Sequence, residues 1–213
     1  MLRSSQPEAR LVNRLDRETS GLVLFGLSKE AAGNLGKQFS GRTVSKEYLV
    51  LVHGDFPDEL EAEGFLERDT DCEVRKKRRF VTEPSSELAE SAKTRFRVIA
   101  RNEGFSLVQA LPHTGRLHQI RATLCSLGFP VVGDKIYGLD PSLFLRFIGD
   151  GLTAADKQGL LLTHQALHAW RLTLRTPHTG EELTLETEPP AEFARTLQKL
   201  GLDYADFSSA SNS

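Results

Sequence analysis

Residues 91–111 carry the pattern that most narrows the choice of fold. Ala92, Thr94, Phe96, Val98 and Ala100 alternate with Lys93, Arg95, Arg97 and Arg101. Period-two alternation is the signature of a strand with one buried face, so this strand has an apolar inner face and a cationic outer one. Asn102-Glu103-Gly104 then turns the chain into a partner strand, Phe105 to Leu111. Antiparallel sheet is therefore a fixed requirement.

Other elements follow. Residues 46–52 are apolar on both faces and so belong in the middle of a sheet. Residues 21–27 read as a buried strand. Ser28 then caps a helix over 29–39, with Gly41 as its stop. The stretch 55–84 is charged, weakly periodic and loop-rich. A helix is predicted over 115–126, opened by Thr114 or Gly115, with Leu117, Ile120, Leu124 and Leu127 as its apolar stripe and Gly128 as its end. Strands at 165–175 and 182–187, a Pro177-His178-Thr179-Gly180 turn between them, and a helix over 190–200 complete the reading. The expected architecture is α+β: a mixed, mainly antiparallel central sheet with flanking helices and loops. It forms one domain over 1–206, with a Ser-rich tail at 207–213 expected to fray.

With 39% hydrophobic and 26% charged residues, the chain can bury a core and is neither disordered nor a coiled coil. Its longest apolar run, 21–27, is too short to span a bilayer. Cys72 and Cys125 lie far apart with no CxxC, which favours a reducing, cytoplasmic setting over a disulfide scaffold or a Cys-based zinc site. The net charge of −2 hides an uneven spread. Residues 71–175 carry 16 basic and 10 acidic side chains, whereas residues 176–213 carry 2 and 7. A basic middle points towards a polyanion. Its densest cluster, Arg75 to Arg79, is either a solvated loop or a set of phosphate contacts.

Two segments could carry chemistry. In Asn13-Arg14-Leu15-Asp16-Arg17-Glu18-Thr19-Ser20-Gly21, Asp16 is either a turn aspartate paired with Arg14 or Arg17, or a carboxylate fixed at a strand mouth among guanidinium groups and able to act as a nucleophile. In His113-Thr114-Gly115-Arg116-Leu117-His118-Gln119-Ile120-Arg121, three cations crowd an expected helix start. Arg116, His118 and Arg121 there need an anion, either structural, such as Asp16, or a ligand phosphate. Tyr48, on the central strand, is core or site. His164 and His168 share a strand face without a third ligand, so no metal is expected.

Taken in order, NRLDRETSGLVLF (13–25), KEYLVLVHG (46–54), SAKTRF (91–96), TGRLHQIRATLCSLGFPVVGDKIYG (114–138) and LHAWRLTLRTP (167–177) resemble the RluA-type pseudouridine synthases. The resemblance implies a pseudouridine synthase fold and isomerisation of uridine in a structured ribosomal or transfer RNA. It implies no metal or other cofactor; the chain is further expected to act as a monomer, away from membranes. Asp16 aligns with the essential aspartate, Arg116 with the arginine that pairs with it, and Tyr48 with the tyrosine that packs on the base and is a candidate for the late proton removal. Arg14, Thr19, His118, Ile120 and Arg121 are implied in substrate contact. Lys93 and Arg95 on the cationic strand face suit RNA phosphates. Attack at the sugar and attack at the ring both fit. Asn13 stands where the family usually has His, and Leu117 where it usually has Thr. Relatives also carry an earlier strand with a Lys-Pro-x-Gly element that is not seen before residue 13; without it a sheet edge is exposed. Two rival readings are carried beside this one. One is a non-catalytic RNA-binding descendant; the other is a small-molecule hydrolase using Asp16, His118 and His164.

Overall fold

The computed structural model describes residues 8–140 and 142–202. The expected tail at 207–213 lies outside the described residues. In chain order the elements are β1 (Arg10–Leu11), β2 (Ser20–Gly21), β3 (Phe25–Gly26), α1 (Lys29–Ser40), β4 (Ser45–His53), β5 (Glu59–Arg68), β6 (Arg78–Val81), β7 (Glu90–Asn102), β8 (Phe105–Pro112), α2 (Gln119–Ser126), α3 (Leu143–Ile148), α4 (Ala154–Leu160), β9 (Leu167–Arg175), β10 (Glu182–Glu186) and α5 (Ala191–Lys199). The main sheet runs β10-β9-β4-β8-β7-β5-β6, with β2 added to β9; every pair is antiparallel except β2 with β9. The fold is therefore α+β on a mixed, mainly antiparallel sheet, as the alternation at 91–111 requires. No helix among the described residues is long and apolar enough to cross a membrane.

The 91–111 hairpin forms as read, and Glu103 (φ 48°) and Gly104 (φ 78°) both take the left-handed turn conformation that a tight hairpin needs. β4 sits mid-sheet, with Leu49, Val50, Leu51 and Val52 fully buried between β8 and β9. The main core gathers around it: Phe56, Phe96, Leu124 and Trp170, with Phe193 and Leu197 from α5. Ser28 caps α1 by accepting from the Ala31 N–H at 3.1 Å.

Three expectations are corrected. First, residues 21–27 are not one buried strand. β2 pairs for two residues with β9, and β3 pairs for two residues with β1. Leu22 and Leu24 pack against Leu35, Val44, Leu172 and Leu174, while Val23, Phe25 and Leu27 face solvent. Asn13 stitches the segment together, donating to the Leu22 carbonyl at 3.3 Å and accepting from the Leu24 N–H at 2.7 Å. Second, the loop-rich stretch 55–84 also holds two strands that its weak periodicity did not announce: β5 and β6 lie there, and β5 pairs residue by residue with β7. Third, the second helix starts at Gln119, four residues later than predicted, and His118 before it is left-handed (φ 57°).

Gly21 fixes how the chain leaves the loop that bears Asp16. Its φ is +117°, and a Cβ there would lie 2.3 Å from the Ala169 carbonyl oxygen. Gly21→Ala is expected to lower the unfolding free energy by at least about 2 kcal/mol, measured by urea denaturation, because both strain and backbone overlap must be relieved.

Candidate active site

Asp16 lies in the loop between β1 and β2, closed by a Thr19 N–H donating to the Asp16 carbonyl at 3.1 Å. Its carboxylate meets a guanidinium, but from Arg121 rather than Arg116. Arg121 Nη1 stands 3.0 Å from Asp16 Oδ2. Arg121 is itself fixed by Asp134, through Nε at 2.6 Å and Nη2 at 2.9 Å. Asp134 also accepts the N–H groups of Ile136 and Tyr137. Burial alone would push the Asp134 carboxyl up, yet Arg121 and those two N–H groups outweigh it and hold it below the ordinary aspartate range. Burial opposes the Arg121 charge, and its two carboxylate partners more than restore it. The Asp134 side chain is 0% exposed, and that of Asp16 is 21% exposed. One carboxylate thus builds the site and the other faces it.

Arg116 follows from the late helix start. It lies in the loop before α2, where Nη1 pairs with Glu90 at 3.1 Å and Nε donates to the Ser91 carbonyl at 3.2 Å. Gln119 shapes that loop. Its side-chain oxygen accepts from the Thr114 hydroxyl (2.7 Å) and the Arg116 N–H (2.9 Å), and its amide nitrogen donates to the Lys93 carbonyl (3.0 Å) and the Thr94 hydroxyl (2.9 Å). A buried amide with all four positions filled ties the loop to β7.

These parts surround a hollow of about 550 Å³, within the range of roughly 300–1,000 Å³ usual for small-molecule sites. Arg14, Asp16, Thr19, Tyr48, Arg116, His118, Ile120 and Arg121 all line it, as do the unpredicted Arg42, Lys46 and Gln119. Among the described residues, Asp16 is the only acid in the lining, against five Lys or Arg. Burial, then the charge of Arg42, lowers the Lys46 pKa; its ammonium donates to the Thr114 carbonyl at 3.2 Å. Burial, then the Asp16 charge, pushes the Tyr48 phenol up to about 12, so it is protonated at neutral pH. Tyr48 sits where the β4 pairing with β9 shifts register, a device that re-aims a side chain.

The cationic outer face of β7 is not bare. Lys93 pairs with Glu61 and Glu63, both at 2.8 Å, and Arg95 with Glu59 at 2.8 Å. Neither cation lines the hollow. Of the Arg75–Arg79 run, Lys77 pairs with Asp69 and Arg79 with Glu67 and Asp71.

His118 meets the Tyr137 hydroxyl at 3.0 Å, and His168 bonds Ser20 Oγ and the Thr187 carbonyl, each at 2.9 Å. His164 falls before β9 rather than on it and meets the Thr163 hydroxyl. Among the described residues, no three His, Cys, Asp or Glu come together to hold a metal. Burial lowers the pKa of His53 and His168, and burial with Arg121 takes His118 down to about 4. The unfolded chain therefore takes up protons near pH 6.5 that the folded chain refuses. Stability is expected to fall as the pH drops from about 6.5 towards 4, read as a falling urea midpoint, and His118→Asn should flatten that fall.

This mainly antiparallel α+β fold has solved counterparts. Human RNA pseudouridylate synthase domain containing 4 superposes with a TM-score of 0.70 at 26% identity, covering 92% of this chain and 77% of that one. Human RNA pseudouridylate synthase domain containing 1 gives 0.69 at 28% identity, covering 89% and 72%. The RNA pseudouridylate synthase family matches residues 2–126, more than half of the chain, and the chain belongs to that family. Ribosomal large subunit pseudouridine synthase D of Nitrosomonas europaea is 34% identical over 92% of this chain and 53% of its own length. Ribosomal large subunit pseudouridine synthase C of Haemophilus influenzae is 35% identical over 93% and 58%. The chain thus spans little more than half the length of these relatives.

Proposed function

We propose that the chain isomerises uridine to pseudouridine in structured RNA, with Asp16 as the nucleophile. The observation that carries this reading is a carboxylate, partly exposed and held by Arg121, that among the described residues is the one acid in a hollow also lined by five Lys or Arg. A uridine must leave its stack to reach such a group, and rim cations can grip the phosphates on either side of it. Asp16 then forms a bond to the everted nucleotide as the bond between nitrogen 1 and the sugar breaks. The freed base turns, carbon 5 bonds to the sugar, the bond to Asp16 breaks and returns the free carboxylate, and a base removes the carbon-5 proton while nitrogen 1 gains one, so no atom is gained or lost overall. Tyr48, a neutral phenol, serves as a wall and a hydrogen-bond donor rather than as a standing base. Ile120, buried at the edge of the hollow, gives the base an apolar surface.

The relatives named for the large ribosomal subunit make its RNA the first substrate to test. The test is site-resolved pseudouridine profiling of RNA from cells with and without the gene, where at least one site should disappear. RNA bound tightly with no site lost would favour the non-catalytic reading. RNA affinity is also expected to fall with salt. Arg14→Ala and Arg42→Ala should each reduce the slope of log affinity against log salt by about 1, whereas Lys93→Ala and Arg95→Ala, already paired with glutamates, should leave it nearly unchanged.

A further inference from the structure

The residue two places after Asp16 is held in a costly way. Glu18 has φ 71°, in the left-handed region that a glutamate rarely occupies. Such a residue persists only where its surroundings hold it there. Its carboxylate receives Lys135 Nζ at 2.8 Å, and the two side chains are 17% and 4% exposed. Lys135 is itself fixed, donating to the Thr163 carbonyl at 2.7 Å and lying 4.9 Å from the centre of the Phe147 ring. The next residue, Thr19, accepts from Gln165 Nε2 at 2.5 Å.

Lys135 directly follows Asp134. One short turn therefore sends two arms to one loop: Asp134 reaches Asp16 through Arg121, and Lys135 reaches Glu18 directly. A small cavity of about 60 Å³, lined in part by Glu18, Arg121, Lys135 and Phe147, lies beside the second arm and gives a released loop room to shift. We propose that Glu18 and Lys135 are a positioning pair that sets where the Asp16 carboxylate stands, acting through the loop without touching RNA. This rests on the reading of Asp16 as the reacting group. Misplacing a reacting atom by about 1 Å can cost on the order of a hundredfold in rate.

The test uses total RNA carrying tritium at carbon 5 of uracil, prepared from cells lacking the gene. Release of tritium under single-turnover conditions reports the reaction, and filter binding of the same RNA reports affinity. Three variants are compared: Lys135→Met, Glu18→Gln and Glu18→Gly. The glycine change keeps the left-handed backbone at ease while removing the pair, so any loss of melting temperature comes from leaving the buried Lys135 ammonium without its carboxylate and not from backbone strain. Each variant is expected to slow the reaction about tenfold or more at saturating protein, with affinity unchanged within about twofold. The double change Glu18→Gln with Lys135→Met should be no slower than the worse single one. Lys135→Arg, which can still reach Glu18, should recover much of the rate. Normal rates in Glu18→Gly and Glu18→Gln, with only melting lowered in Lys135→Met, would overturn the proposal. Weakened affinity at an unchanged rate would overturn it too, by making Lys135 or Glu18 an RNA contact. Asp16→Asn, run in parallel, separates the two readings. Full activity there removes Asp16 as the reacting group and the positioning proposal with it, whereas a dead Asp16→Asn beside normal pair variants removes the pair alone.

Discussion

Asp16→Asn is expected to abolish pseudouridine formation, by at least about a thousandfold, while leaving the protein folded and able to bind RNA. The amide keeps the shape of the carboxylate but cannot serve as the nucleophile. Folding should survive because the loop has other holds: the Thr19 N–H on the Asp16 carbonyl, and Gln165 on the Thr19 hydroxyl. Arg121 also keeps both of its bonds to Asp134. Single-turnover rate, melting temperature and RNA affinity, measured on one preparation, decide the matter. Activity within tenfold of the parent would remove Asp16 from the chemistry. Loss of folding together with activity would make it a structural ion pair.

Asp134→Ala should give the largest loss of stability, about 3–5 kcal/mol by urea denaturation, because it strands a buried guanidinium whose one other carboxylate partner among the described residues is Asp16. Two backbone N–H groups lose their acceptor as well. Asp134→Asn keeps one acceptor and the volume, so it should cost less. The pH dependence has a definite sign. The folded carboxyl titrates below its ordinary value, so its contribution is full above about pH 4 and is lost as the pH falls through the lower folded value. In Asp134→Asn that acid limb should shrink. An alanine variant within about 1 kcal/mol of the parent would mean that Arg121 finds another partner or water.

Much of this could be read from the residues, and the misses have physical causes. The 91–111 hairpin, the central β4 and the capped α1 were legible because alternation, apolar runs and a serine cap act locally. β5 carries its own alternation, Glu59-Leu60-Glu61-Ala62-Glu63, yet its dense charge reads as loop until the cations of β7 are placed opposite. The α4 start has a full capping box, Thr153 with Asp156, which was a usable signal. The late start of α2 was not legible, since Gln119 holds residues 114–118 open by reaching across to β7. That delay is why Arg121, and not Arg116, faces Asp16. Asp134 sits inside a matched motif, but no local pattern marks it as the anchor of Arg121; only the tertiary approach of two distant loops does.

The two walls of the hollow differ in how firmly they are built. Tyr48 sits directly before four fully buried residues of a strand bonded on both sides. The Asp16 loop hangs between two-residue strands. Amide hydrogens of Leu49 to Val52 should exchange with deuterium only when the whole domain opens, and those around Asp16 far sooner. Any closing of this mouth on an incoming nucleotide is thus a movement of one side against a stationary anvil.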